Sequence, residues 1–112
     1  MPKQAARLDL VFQGLADPTR RAVLERLSAG PAPVGELARP FKMRLPSFSQ
    51  HLDVLERAGL VRSRKTGRVR TYQLVPRRLE SAQHWLEVQG ARWNNRLNQL
   101  DNYLETLKEQ KL

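Results

Sequence analysis

The sequence predicts a mostly α-helical fold with one small β-hairpin, and three observations predict it. Apolar residues recur at steps of three and four over most of the chain, the period of one helix face. Two short β-prone runs, residues 60–64 and 68–74, are joined by Lys65-Thr66-Gly67-Arg68, where the glycine can supply the positive φ of a hairpin turn. Positive charge gathers around that hairpin: residues 44–78 hold nine of the twenty Lys and Arg against two acids, +7 of a net +9. Residues 1–43 carry +3 and residues 79–112 carry −1 by the same count.

Composition narrows the function classes. A chain of 112 residues with 40% apolar side chains is expected to form one domain, residues 1–112. Its high surface-to-volume ratio makes support from a partner subunit expected. No apolar run approaches the roughly 18 residues of a membrane span. The start, MPKQAARLDLVF, lacks the apolar region and cleavage site of a secretory signal, so a cytoplasmic protein is expected. Without cysteine the chain has no disulfide, thiolate metal site or thiol switch. A pI near 11.1 points to an anionic partner, nucleic acid first and an acidic membrane surface second.

The elements follow in order. Leu8, Val11, Phe12 and Leu15 mark one face of a first helix, closed by Gly14 and Ala16-Asp17-Pro18. Asp17 suits the N-cap of a second helix and Pro18 its first position. That helix is expected over residues 18–28, burying Ala22, Val23 and Leu27, with Gly30 as its left-handed stop. Pro31-Ala32-Pro33 reads as a stiff connector. A short third helix over residues 34–39 carries Glu36 near its N-terminus, where the helix dipole favours an acid, and Pro40 limits it. Phe41 and Met43 are expected as core contacts between helices.

A fourth helix begins near Leu45-Pro46 and ends at Ala58, with Gly59 beyond it; Phe48, Leu52 and Leu55 form its buried face. Its start offers small polar groups, Ser47, Ser49 and Gln50. After the hairpin, Pro76 starts a helical tail in which Trp93, Leu97, Leu100, Leu104 and Leu107 recur at 4, 3, 4, 3, the seam of a helix pair. Leu86 keeps the seven-residue step back from Trp93, but Gly90 interrupts it, so a kink or break is expected there. Three short helices, a fourth with a polar leading face and a basic hairpin make a winged helix-turn-helix. The third and fourth helices are then the helix-turn-helix, and the fourth enters the major groove.

The residues themselves are familiar. Over about residues 8–75 the chain resembles the ArsR/SmtB-type family of bacterial winged-helix repressors, through LADPTRRAVLERL, VGELARPF, SFSQHLDVLERAGLV and GRVRTYQL. Its tail resembles the branch of that family without metal ligands. The resemblance implies a DNA-binding core over residues 8–75 and a dimerising tail over residues 76–112. It places Ser47, Ser49, Gln50 and His51 where this family meets DNA, and makes residues 65–70 the wing. Arg64, Lys65, Arg68 and Arg70 are its expected phosphate-neutralising cations, which position the protein without specifying sequence. Gln50 can pair bidentately with adenine, the kind of contact that reads sequence. On their own, these polar residues equally describe a solvated helix face. His51 reads either as a phosphate contact or as a partly buried histidine packing the hairpin. Arg44 stands where the family often has a small N-cap, placing a cation beside the expected phosphate path.

Partners and chemistry follow. The first and last helices both carry apolar faces, which pairing across a two-fold axis would bury, as in the family. Leu8, Val11, Phe12, Trp93, Leu97, Leu100, Leu104 and Leu107 are the expected dimer interface. Two-fold symmetry then predicts a palindromic operator with half-sites about 10 bp apart or a multiple of it. No metal, cofactor or catalytic role is expected. The third helix has no sulfur where the family's metal sensors hold thiolates. Glu80, His84 and Glu87 read as a solvated cluster, and two histidines without cysteine or a phosphate loop leave little for catalysis. The competing reading is a protein-interaction or architectural module that uses the leucine seam and binds DNA without sequence preference.

Overall fold

Pairs of short helices held at fixed angles need firm ends, and the first turn of the second helix supplies them. In the computed structural model, which describes residues 3–110 and side chains from Ala6 onward, α1 is Lys3–Leu15 and α2 is Pro18–Leu27. Asp17 is the N-cap of α2 as its sequence requires: extended, with its carboxylate accepting the Arg20 backbone N–H at 3.1 Å. The orphan carbonyls ending α1 are capped from α2. Arg20 donates to Gln13 O and Gly14 O, and Arg21 to Leu15 O.

The remaining elements are β1 (Ala32–Pro33), α3 (Val34–Ala38), α4 (Leu45–Arg57), β2 (Val61–Thr66), β3 (Val69–Leu74) and α5 (Pro76–Gln110). The chain forms two compact units, Met1–Ala82 and Gln83–Leu112. The first has a core of Val11, Val23, Leu24, Leu27, Ala32, Leu37, Phe48, Leu52, Leu55, Ala58, Leu60, Val61, Tyr72 and Ala82. Phe48 stacks on Phe41 at a centroid separation of 5.5 Å. α1 comes so close to this core that a Cβ on buried Gly14 would lie 2.9 Å from Leu60 Cδ1. Arg26 of α2 and Glu36 of α3 form a 2.7 Å ion pair, and this guanidinium, by hydrogen bond and charge, holds the Glu36 carboxyl below its ordinary range.

Several expectations are corrected. Pro31-Ala32-Pro33 is more than a connector: Ala32 and Pro33 pair antiparallel with Tyr72 and Thr71, making the hairpin a three-stranded sheet in the order β1-β3-β2. Proline is tolerated there because an edge strand leaves one set of backbone groups unpaired. In α2 the buried residue beside Val23 is Leu24, while Ala22 is only partly buried. Gly30 has a φ of 136°, positive but wider than a left-handed helical stop. Met43 is 36% exposed, while Phe41 packs on the core and stacks on Phe48 of α4. Val11, expected at the dimer interface, is 1% exposed and belongs to the core formed within the chain.

The second unit is helical, and α5 passes through Gly90 without a break. One glycine costs a helix about 1 kcal/mol, which does not terminate a segment this long. Trp93, Leu97, Leu100, Leu104 and Leu107 lie within an arc of about 80° on a 3.6-residue helix, and are 37–65% exposed. No helix among the described residues is long and apolar enough to cross a membrane.

Candidate nucleic-acid interface

The site begins with the two sides of α4. Its four-then-three spacing sends Phe48, Leu52 and Leu55 into the core at 0% exposure. That rotation leaves Ser47 and Gln50 exposed and Ser49 half-buried. The helix starts at Arg44, whose extended backbone fills the N-cap position with no side-chain cap bond. Its first N–H groups are therefore not capped by a side chain, and Arg44 itself is exposed beside them. At the other end Gly59 takes a φ of 75°, the left-handed stop expected of it.

The wing is set by register. Val61 pairs with Leu74, Ser63 with Tyr72 and Lys65 with Arg70, so these six residues share one face of the β2–β3 ribbon. Near the core that face is apolar, with Val61 and Tyr72 buried; toward the tip it carries the two cations. Arg64, opposite Thr71, lies on the other face. Thr66 pairs with Val69, which leaves Gly67 and Arg68 as a two-residue turn. Gly67 has a φ of 63°, the role glycine plays at the first position of a type II′ turn, and Arg68 sits at the tip.

α4 and the wing border one open groove of about 520 Å³, lined by Val34, Leu45, Ser49, Asp53, Glu56, Lys65, Arg68, Arg70 and Tyr72. The cations do not all stand alike. Arg70 donates to Ser63 Oγ at 2.8 Å, and Ser63 Oγ donates to the Glu56 carboxylate at 2.8 Å, a strut from wing to α4. Arg64, Lys65 and Arg68 form no salt bridge among the described residues. Burial, and after it the Glu56 charge, pushes the Tyr72 hydroxyl above its ordinary value, so it stays a neutral phenol.

His51 is partly buried, and its polar partners lie on the α2 side. Its ring lies against the start of α2, with Nδ1 3.1 Å from Arg20 Nη1 and 3.7 Å from Asp17 Oδ2. Burial by itself would raise the Asp17 carboxyl. The Arg20 N–H bond, together with the charge of Arg20 and that of His51 whenever its ring is protonated, outweighs it, and the carboxyl sits below its ordinary value. Arg20 is the residue that sequence reasoning missed. Nothing in its spacing reveals that one guanidinium spans two α1 carbonyls and a histidine 31 residues away. Among the described residues no group of three His, Asp or Glu is placed to hold a metal ion.

A recognition-type helix and a cation-tipped hairpin beside one groove define a winged helix-turn-helix protein of the DNA-binding class. Comparison with known proteins agrees: a family model described as a helix-turn-helix domain matches residues 15–64. The HTH-type transcriptional regulator Rv2034 of Mycobacterium tuberculosis is 54% identical over 68 residues, 61% of this chain and 64% of that protein. The chain thus spans just under two thirds of that relative's length. The transcriptional repressor SdpR of Bacillus subtilis is 33% identical over 76 residues, covering 68% of this chain and 84% of that one. Among solved structures, the ArsR family transcriptional regulator RHA00566 superposes with a TM-score of 0.78 at 49% identity, over 84% of this chain and 97% of the other. A homodimeric winged helix-turn-helix domain from Mycobacterium bovis, a possible ArsR-family regulator, matches with a TM-score of 0.57 at 27% identity over 82% and 81%. The chain belongs to the ArsR family of transcriptional regulators.

Proposed function

We propose that the protein is a cytoplasmic, homodimeric repressor that binds a palindromic DNA operator and occludes a promoter. The observation that carries this reading is the groove shared by α4 and the wing, lined by Ser49, Lys65 and Arg68 among others, with Ser47 and Gln50 exposed on α4 and with Arg64, Lys65 and Arg68 in no salt bridge among the described residues. In this reading residues 8–75 are the DNA-binding core and residues 76–112 the dimerising tail. α4 enters the major groove, Gln50 reads a base edge, and Ser47, Ser49, His51 and Arg44 add polar contacts near its start. Arg64, Lys65 and Arg68 neutralise phosphate. Arg70 contributes its charge while tethered through Ser63 to Glu56.

The dimer half of the proposal rests on the exposed seam from Trp93 to Leu107, together with Leu8 and Phe12, which are partly buried on α1. The homodimeric state of the Mycobacterium bovis neighbour supports it.

The test is a fluorescence-anisotropy titration against a duplex recovered by selection from a random pool, and against a shuffled duplex. A dimer neutralising about eight phosphates should show log K falling against log[salt] with a slope near −7. Gln50→Ala should erode discrimination by about 1–3 kcal/mol. Arg68→Ala should weaken both duplexes alike and flatten the slope by about 1 per subunit. Equal affinity of the wild type for the two duplexes would overturn sequence-specific binding and favour the architectural reading.

A further inference from the structure

His51 stands on α4 directly after Gln50, yet its ring is held from outside that helix, by Arg20 of α2. The chemistry of the contact fixes the ring's state. A guanidinium has only N–H donors, so the ring atom 3.1 Å from Arg20 Nη1 accepts through its lone pair. In that contact Nδ1 carries no proton, and a neutral ring then holds its proton on Nε2. Arg20 cannot turn away cheaply. Its Nε donates to Gly14 O at 3.1 Å and its Nη2 to Gln13 O at 2.7 Å, so three of its nitrogens are committed in one plane. Asp17 Oδ2, 3.7 Å from the same Nδ1, is the competing partner that a protonated ring would engage.

We infer that Arg20 is a positioning residue for DNA recognition: it holds His51 as a neutral imidazole whose Nε2–H donates to an acceptor on DNA. Its geometric advantage is that the fork anchored on α1 fixes both the tautomer and the rotation of a ring on α4. A histidine preset in this way donates one hydrogen bond without a side-chain ordering cost at the moment of binding. The acceptor is an oxygen or ring nitrogen of DNA, from a phosphate or a guanine edge; both accept and neither donates at that point. The inference rests on the proposed DNA-binding role of α4, and its first test needs no DNA.

That test is long-range proton–nitrogen correlation of the imidazoles in the full chain. His51 should show an unprotonated Nδ1 and a protonated Nε2, and Arg20→Ala should move the Nδ1 resonance while His84 stays in place. A proton on Nδ1, or no response of His51 to Arg20→Ala, overturns the inference even if DNA binding is intact. The second test is a double-mutant cycle on affinity for the selected and shuffled duplexes, with thermal unfolding establishing that each variant is folded. Arg20→Ala and His51→Ala should each weaken binding about tenfold, and together little more than either alone. Strictly multiplicative losses mean that Arg20 acts only through the α1 carbonyls, and overturn the positioning role. Loss on both duplexes assigns the acceptor to phosphate, and loss on the selected duplex alone assigns it to a base edge. If the wild type prefers no duplex, the proposed function fails and the DNA half of this inference with it. The spectra then still decide whether Arg20 sets the ring.

Discussion

Two helices of this protein carry the same kind of apolar stripe with opposite outcomes. On α4, Phe48, Leu52 and Leu55 are fully enclosed. On α5, Trp93, Leu97, Leu100, Leu104 and Leu107 stay between 37 and 65% exposed. Both follow steps of three and four, so periodicity alone does not separate them. The difference is the supply of facing surface. α1, α2, α3 and the sheet offer α4 apolar neighbours within a single chain. A seam of large apolar residues left exposed on one helix costs solubility and calls for a second surface, and in the proposed dimer that surface is another copy of the chain.

Substitutions can break or sharpen this contrast. The largest effect belongs to the enclosed stripe: Phe48→Ala should destabilise the fold by about 3–5 kcal/mol, through lost transfer energy and a residual cavity. Urea unfolding followed by circular dichroism measures it, and a change under 1 kcal/mol would show that the site collapses freely. The exposed stripe should behave inversely. Leu100→Glu with Leu104→Glu should leave the unfolding of the monomer nearly unchanged, since exposed sites seldom matter by more than about 0.5 kcal/mol. The same pair should halve the mass in sedimentation equilibrium and weaken operator binding by about 10²-fold or more, through lost bivalency. A variant that stays dimeric places the interface elsewhere.

The smallest effect tests the capped start of α2, on which the surroundings of α4 depend. Asp17→Ala should cost about 1 kcal/mol at neutral pH. Because the folded state lowers the Asp17 carboxyl pKa, this contribution is fully present above the ordinary value of 3.8. It fades as pH falls from there through the lower folded value. Melting temperatures of wild type and variant should therefore converge in acid; a gap that widens below pH 4 would contradict the assignment of the charged cap.

Much of the fold was legible because its signals are local. Asp17-Pro18 announces a helix start, Gly59 a helix stop and Gly67 a hairpin turn through backbone preferences that act within a few residues. The buried face of α4 could be read because helical period and core packing coincide there. What failed depended on partners distant in sequence. Ala32 and Pro33 are a strand only because Tyr72 and Thr71 lie alongside. Val11 turned inward because one residue can face both a core and an outer surface in prediction, but only one in space. Gly90 proved too weak a breaker by itself for a helix of 35 residues.

The candidate site divides along the same line. By itself the sequence determined which residues are available: a helix opening with Ser47, Ser49 and Gln50, and a hairpin tipped with cations, since composition and period suffice for that. Only the tertiary structure decided what each can do. Strand register set Arg64 on one face and Lys65 with Arg70 on the other, and a hydroxyl tied Arg70 back to Glu56. A guanidinium from α2 reached His51 and came to lie 3.1 Å from its Nδ1. Hydrogen bonds of this kind depend on a few ångströms between groups far apart in the chain, and those distances exist only once the core between α2 and α4 has packed.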